Sequence, residues 1–139
     1  MNAATPTSDI PAEEHARLYR VRSLQSAGIP TAFGTDLPFG NPDPWLAMAA
    51  AVHRTSINGV ELGIDENVNP ETALEGFLGS LEHPFTPRHI APGERADLCL
   101  MDVPWRDLRN DLSSSHVKLT IANGRVVYDR DRNVTQTAL

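Results

Sequence analysis

The stretch that most constrains the fold is a short apolar run that ends at an acid, residues 29–36. Gly28 suits the left-handed residue that closes a helix, and Pro30 prevents helix and favours extended backbone. Residues 29–33 are mostly apolar, which is typical of a buried strand in a parallel sheet. The run stops at Asp36, and α/β folds place their chemistry at the carboxyl ends of such strands. The sequence therefore predicts Asp36 at the end of a buried strand; the alternative is that Asp36 only caps the following loop through backbone amides.

Composition and charge exclude several classes of partner. The chain has 139 residues, enough for one domain with a hydrophobic core, and its net charge is −6 at pH 7. An acidic chain without a lysine-rich or arginine-rich run argues against nucleic acid as a partner. No apolar run approaches the roughly 20 residues that a membrane span needs, and residues 1–11 lack the pattern of a signal peptide. We therefore expect a cytoplasmic protein that binds neither nucleic acid nor a membrane.

Helix and strand signals divide the chain into two parts. A helix is predicted to end at Gly28, and two cap-then-proline pairs, Asp43-Pro44 and Asn69-Pro70, predict helices over 45–54 and 70–81. After residue 95 the hydrophobic period changes from helical to two, which predicts strands and one helical turn within 105–112. The strongest local signal is Asn123-Gly124 between two alternating runs, which predicts a hairpin with a two-residue turn.

The remaining chemically active side chains form no recognisable motif. None of the histidines forms a His-x-His or His-Glu-x-x-His pair; they are His15, His53, His83, His89 and His116. For the first four, a structural or solvent-facing role is favoured over a ligand role. The single cysteine, Cys99, excludes an internal disulfide and is predicted to be a buried small hydrophobic residue. Only Asp36 combines a suitable location with suitable chemistry.

Four blocks of sequence follow one another in a recognisable order. They are residues 22–36, the helical regions 44–54 and 69–74, the run 92–102, and the hairpin 117–128. Their order and spacing resemble the C-terminal portion of the metal-dependent amidohydrolases, and in particular the branch of amide, formamide and exoenzyme-type deacylases. The resemblance covers residues 17–130.

The resemblance implies a fold and a role for Asp36. In that family, the strand that ends in the matching aspartate closes a (β/α)8 barrel, and later strands join N-terminal strands in a β-sandwich. The implied fold class is α/β, with residues 1–88 as the barrel end and residues 89–139, including the hairpin at 123–124, as sandwich strands. The resemblance also implies that Asp36 binds a divalent metal, zinc or iron. It implies that this carboxylate passes a proton from the attacking water to the leaving nitrogen.

The implied activity is hydrolysis of a carbon–nitrogen bond, other than a peptide bond, in a small-molecule amide. The family's other metal ligands are a His-x-His pair, a lysine or acid, and two single histidines, and all precede the matched region. A zinc site needs about three protein ligands plus water, so we expect this chain alone to bind no catalytic metal and to be inactive. Residues 89–95, which precede the predicted strand at Ala96, also depart from the family's usual Gly-Ser-Leu/Ile-x-x-Gly-Lys sequence.

The chain is therefore expected to correspond to the C-terminal third of an amidohydrolase. The rival hypothesis is a non-catalytic remnant or assembly module. In either case, exposed strand edges would pair with a second copy or with a separate N-terminal chain, because open sheet edges favour association.

Overall fold

The computed structural model describes residues 10–56 and 59–132, and the chain divides into two units, Met1–Arg88 and His89–Leu139. The first unit contains helices α1 (Val21–Ser26), α2 (Pro44–His53) and α3 (Pro70–Glu75), with 3₁₀ turns at Ala12–Arg17 and Ile64–Glu66. The second contains β1 (Leu98–Met101), α4 (Trp105–Leu108), a 3₁₀ turn at Ser114–His116, β2 (Val117–Ala122) and β3 (Arg125–Asp129). Helices and an antiparallel sheet together give the α/β class that the sequence predicts. Among the described residues, no helix is both long enough and apolar enough to cross a bilayer.

Helix α2 begins where the sequence predicts, because its first turn is capped locally. The Asp43 carboxylate accepts a hydrogen bond from the backbone N–H of Trp45 at 2.9 Å, and Pro44 occupies the first helical position. The helix packs against α3 and supplies most of the core of the first unit. The buried apolar side chains there belong to Trp45, Ala47, Met48, Ala51, Leu62, Val68 and Ala73.

Helix α3 also begins at its predicted cap but ends earlier than residue 81. The Asn69 side chain accepts from the N–H of Thr72 at 2.8 Å, as the Asn-Pro signal predicts. The helix stops at Glu75 because the carbonyl of the next residue, Gly76, accepts the backbone N–H of Phe33 at 2.8 Å instead of continuing the helical ladder. A contact from 43 residues earlier in the chain therefore sets the end of α3, and no local pattern encodes it.

The close approach of Gly76 to Phe33 yields a prediction about stability. A methyl group at Gly76 would lie 2.7 Å from Phe33 Cγ, and that ring also packs edge-on against Phe77 at 5.8 Å between centroids. Alanine usually stabilises a helical position, but here we expect Gly76→Ala to lower the free energy of unfolding by about 1–3 kcal/mol through overpacking. Chemical denaturation measures this change in the free energy of unfolding. Gly34→Ala is the control, since a methyl group at Gly34 would meet no neighbouring atom. A Gly76→Ala variant as stable as the parent would contradict the contact.

The predicted N-terminal helix is broken at Leu18 and Tyr19. The 3₁₀ turn ends at Arg17, Tyr19 takes a left-handed φ of 51°, and α1 starts at Val21. The break has a long-range cause: the Arg54 guanidinium donates to the carbonyls of Leu18 at 2.6 Å and Tyr19 at 3.2 Å. Carbonyl oxygens engaged by this buried cation leave the helical ladder, so the chain turns there.

The predicted buried strand over residues 29–33 is wrong for the described structure. The segment joins no sheet, and Ile29 is 49% exposed. Its one sheet-like backbone hydrogen bond is donated by the Phe33 N–H to the Gly76 carbonyl. An apolar extended segment becomes a strand only when a neighbouring strand supplies the hydrogen-bond ladder, and none lies beside it within residues 10–56 and 59–132.

The second unit is an antiparallel meander in the order β1-β2-β3. Strands β2 and β3 form the hairpin that the sequence predicts, with both turn residues in left-handed conformations, Asn123 at φ 49° and Gly124 at φ 75°. Such a turn matches the twist of the two strands, which is why Asn-Gly is favoured there. Cys99 is exposed on β1, contrary to prediction, because burial in this unit is concentrated on Leu108 and Leu112 beside the sheet.

Candidate active site

Asp36 lies in a tight, exposed turn between the extended segment and α2. Its backbone adopts a left-handed φ of 58°, a conformation that aspartate tolerates better than most residues. Its carbonyl accepts the N–H groups of both Phe39 and Gly40 at 2.8 Å. The peptide bond between Leu37 and Pro38 is cis. The turn is therefore fixed by backbone hydrogen bonds, and it presents the Asp36 side chain at the surface.

Two large apolar side chains accompany Asp36 in this turn. Leu37 is 65% exposed and Phe39 is 73% exposed. Gly40 is buried, and the chain then enters the cap of α2, where Asn41 accepts the N–H of Asp43 at 2.9 Å. The turn thus places one carboxylate beside an exposed apolar surface.

The histidines do not gather around Asp36 in the described part of the chain. His15 Nε2 lies 3.0 Å from the Ile10 carbonyl, His53 is exposed at the end of α2, and His83 is part of a turn with Ser80. His89 and His116 belong to the second unit. Residues 10–56 and 59–132 contain no group of three or more histidine, cysteine, aspartate or glutamate side chains able to hold a metal ion. One carboxylate does not fit the donor set of a catalytic zinc or iron.

A cavity of about 340 Å³ lies in the first unit, at the start of the extended segment rather than at its Asp36 end. Apolar and polar side chains both line it, and Asp36 is not among them; the lining residues are Gln25, Gly28, Ile29, Pro30, Thr31, Thr72, Glu75, Gly76, Phe85 and Pro87. The candidate catalytic carboxylate and this cavity are therefore separate features of the first unit.

Two buried charged side chains, Arg54 and Glu66, fix the position of the segment that leads to Asp36. Local sequence patterns did not reveal their burial. Arg54 is fully buried and donates to the carbonyls of Leu18, Tyr19 and Gly63, the last at 3.2 Å. Burial lowers the pKa of the Arg54 guanidinium, and the Glu66 carboxylate nearby opposes that shift. In sequence, an arginine at the C-terminal end of a helix is ordinarily a solvent-exposed partner of the helix dipole, so no local signal revealed its burial.

Glu66, 8% exposed, anchors the first turn of α1. Its two oxygens accept from the Ser23 hydroxyl and from the Ser23 backbone N–H, the latter at 2.9 Å. The hydrogen bond from the Ser23 hydroxyl holds the pKa of the Glu66 carboxyl below its usual value, although burial acts in the opposite direction. Since α1 leads directly into residues 28–36, Arg54 and Glu66 together position the approach to the Asp36 turn.

Comparisons with known proteins agree on one family. The model of the amidohydrolase family matches residues 6–128, which include Asp36 and the whole hairpin. An N-substituted formamide deformylase from Arthrobacter pascens is 30% identical over 123 residues. That alignment covers 85% of this chain but 23% of the relative, so the chain spans about a quarter of the length of the curated relative that it matches. No solved structure matches the chain.

Proposed function

Because the chain belongs to the amidohydrolase family, we propose that it forms part of an enzyme that hydrolyses carbon–nitrogen bonds other than peptide bonds. The observation that carries the proposal is the family match, which spans residues 6–128 and contains the carboxylate Asp36. The name of the relative suggests the substrate class, so we propose an N-substituted formamide or a similar small amide. The exposed apolar pair Leu37 and Phe39 would then lie beside the substituent on the amide nitrogen.

Asp36 is proposed to move the proton in this reaction. A carboxylate can accept a proton from the attacking water and return it to the nitrogen that leaves. The backbone bonds from Phe39 and Gly40 keep the Asp36 turn in place, so the backbone that carries the carboxylate does not have to be ordered when substrate binds. The role assigned to Asp36 is therefore a general base in the first step and a general acid in the second.

The rest of the site is proposed to come from outside the described residues. A family-type zinc or iron site needs about three ligands, and one carboxylate is available here. The apolar segment 29–33 supports the proposal that this chain ends a barrel, since it lies outside every helix and has no strand beside it in the described structure. Other barrel strands would supply both the backbone hydrogen bonds that segment 29–33 lacks and the remaining metal ligands.

Complementation tests the proposal. The isolated chain is mixed or co-expressed with the portion of the Arthrobacter relative that precedes the matched region, and assayed with N-substituted formamides and N-acyl amides. We expect turnover and near-stoichiometric zinc or iron in the complemented complex and neither in the isolated chain. A complemented complex that forms and binds metal but hydrolyses no amide would contradict the function. Turnover by the isolated chain with about one metal per chain would contradict the shared site.

The sheet of the second unit favours a second candidate function, an assembly module. In the described structure β1 and β3 are both edge strands. They carry solvent-exposed apolar side chains, with Leu100 52% and Val126 42% exposed. Open edges with apolar side chains pair readily with another chain. We propose a second copy of this chain as the partner.

We therefore expect the chain to self-associate, and light scattering over a wide concentration range measures it. Leu100→Lys, which adds a charge to an edge strand, should shift the mass towards the monomer. Ile90→Lys is the matched control, because Ile90 is 89% exposed but lies outside the strands. A monomer mass for the unmodified chain at every concentration would reject this proposal.

A further inference from the structure

An imidazole held between two carboxylates lies at one end of the second unit. His116 Nδ1 is 3.0 Å from Asp102 Oδ1, and His116 Nε2 is 3.0 Å from Asp111 Oδ2. Arg130 reaches the other oxygen of Asp102 at 2.8 Å and also donates to the Ser115 carbonyl at 3.0 Å. Asp102 follows β1, Asp111 follows α4, and Arg130 follows β3, so the four side chains connect three separate parts of the unit.

The geometry is complete only when the imidazole is charged. Each ring nitrogen faces a carboxylate oxygen, and only the imidazolium form carries an N–H on both nitrogens. In the neutral form, one nitrogen presents a lone pair to a negatively charged oxygen, which is repulsive. The hydrogen bonds with Asp111 and then Asp102 raise the pKa of His116 above its usual value.

The two carboxylates differ in what else holds them. Asp102 keeps Arg130, whose hydrogen bond is the main reason that the pKa of Asp102 lies below its usual value. The Asp111 side chain is 72% exposed, and in the described part of the chain His116 is its one ion-pair partner. The neutral ring keeps one N–H. Asp111 can exchange its contact for water because it is exposed, whereas Asp102 is 29% exposed and stays fixed by Arg130. The remaining N–H therefore stays on Nδ1, towards Asp102, and the contact with Asp111 is the one that is lost.

We propose that His116 is a pH-dependent clasp: when it loses its proton, Asp111 is released and the connection between α4 and β2 opens, while the bond between Asp102 and Arg130 remains. Leu108 and Leu112 are buried at either side of Asp111, so α4 and Leu112 stay packed. The loosening is confined to the residues around Leu112 within 109–115. The released segment lies at the surface, at the start of the central strand of the sheet.

Two cations on the neighbouring elements α4 and β2 have carboxylate partners of their own. On α4, Arg106 lies 3.8 Å from the Asp107 carboxylate. On β2, Lys118 lies 3.5 Å from Asp131, which follows β3. The imidazole hydrogen bonds in the described structure go to Asp102 and Asp111. The proton on His116 therefore controls the Asp111 contact directly.

The direction of the pH dependence follows from the linkage between protonation and folding. A histidine with a raised pKa in the folded state stabilises that state fully below its unfolded pKa, about 6.5. That contribution is lost as the pH rises through the higher folded pKa. The clasp is therefore closed below a pH of about 6.5 and opens as the pH rises through the raised pKa of His116 in the folded state.

Nuclear magnetic resonance of the full chain tests the proposal between pH 5.5 and 9. We expect the His116 ring signals to titrate with a midpoint above 6.5, and amide protection factors of residues 109–115 to fall with the same midpoint. Protection factors are used because they remove the intrinsic pH dependence of amide exchange. A midpoint at or below 6.5, or protection that does not change with the titration, would overturn the clasp.

A pair of charge-neutralising variants separates the clasp from a general electrostatic effect. Asp111→Asn should lower the His116 midpoint and abolish the pH dependence of the loop, because the asparagine side chain remains a partner for the neutral ring. Asp107→Asn, on the exposed surface of α4, is the matched control and should leave both unchanged. An equal shift of the midpoint in the two variants would also overturn the proposal.

Discussion

Replacement of Arg54 by methionine is expected to lower the free energy of unfolding by about 3–5 kcal/mol, the range found when one partner of a buried charge network is removed. Methionine keeps the length and apolar stem of the side chain but cannot donate hydrogen bonds. The carbonyls of Leu18, Tyr19 and Gly63 then lose their common donor. The carbonyls of Tyr19 and Gly63 still accept the backbone N–H groups of Val21 and Glu66, so the Leu18 carbonyl suffers most. A buried carbonyl left without a donor costs about 1–3 kcal/mol.

Chemical denaturation of the Arg54→Met variant, followed by circular dichroism, measures this effect. Arg20→Met is the control, because Arg20 is 58% exposed and lies 3.9 Å from Glu66, so its loss should cost less than about 1 kcal/mol. Arg54→Lys should also be destabilised, since a single ammonium group cannot reproduce the planar fork that serves three acceptors. If Arg54→Met and Arg20→Met were equally stable, the role assigned to the buried guanidinium would be wrong.

Asp36→Asn is expected to reduce turnover of the complemented amidohydrolase by at least about 100-fold, the lower end of the usual contribution of general acid–base catalysis. Asparagine preserves the size of the side chain and tolerates the left-handed backbone at this position, but it cannot take up a proton. The backbone bonds that close the turn are made by the Asp36 carbonyl, so the substitution leaves them intact.

The assay compares kcat of the Asp36→Asn complex with that of the parent complex on the same N-substituted formamide. Asp65→Asn is the control, because Asp65 is another exposed acid of the first unit and lies far along the chain from the Asp36 turn. The free energy of unfolding and the metal content are measured for each variant. These measurements distinguish a loss of structure or of metal from a loss of proton transfer. Full activity of Asp36→Asn would remove this residue from the proposed chemistry.

Features that depend on neighbouring residues could be predicted from the sequence. The caps at Asp43 and Asn69 and the turn at Asn123-Gly124 depend on hydrogen bonds or backbone angles within a few residues, and the structure contains all of them. The family could be identified because its blocks also lie in a fixed order along the chain.

Features that depend on distant residues could not be predicted. The end of α3 is determined by Phe33, and the break before α1 is determined by Arg54, a residue that periodicity assigns simply to the end of a helix. The apolar run 29–33 predicted a buried strand that does not form in the described structure, because pairing requires a second strand. The His116 contacts join residues 14 and 5 positions away, at a spacing that matches neither helix nor strand.

The burial of Arg54 also constrains the order in which the first unit can fold. Its acceptors lie 36, 35 and 9 positions away along the chain, on two segments that are not neighbours in sequence. A guanidinium cannot leave water with most of its donors unsatisfied, so α2 can form early while Arg54, the residue after the helix, stays hydrated. The N-terminal turn and the loop at Gly63 must then close over the cation together. We therefore expect this step to be cooperative, with the N-terminal segment and the loop gaining protection at the same time.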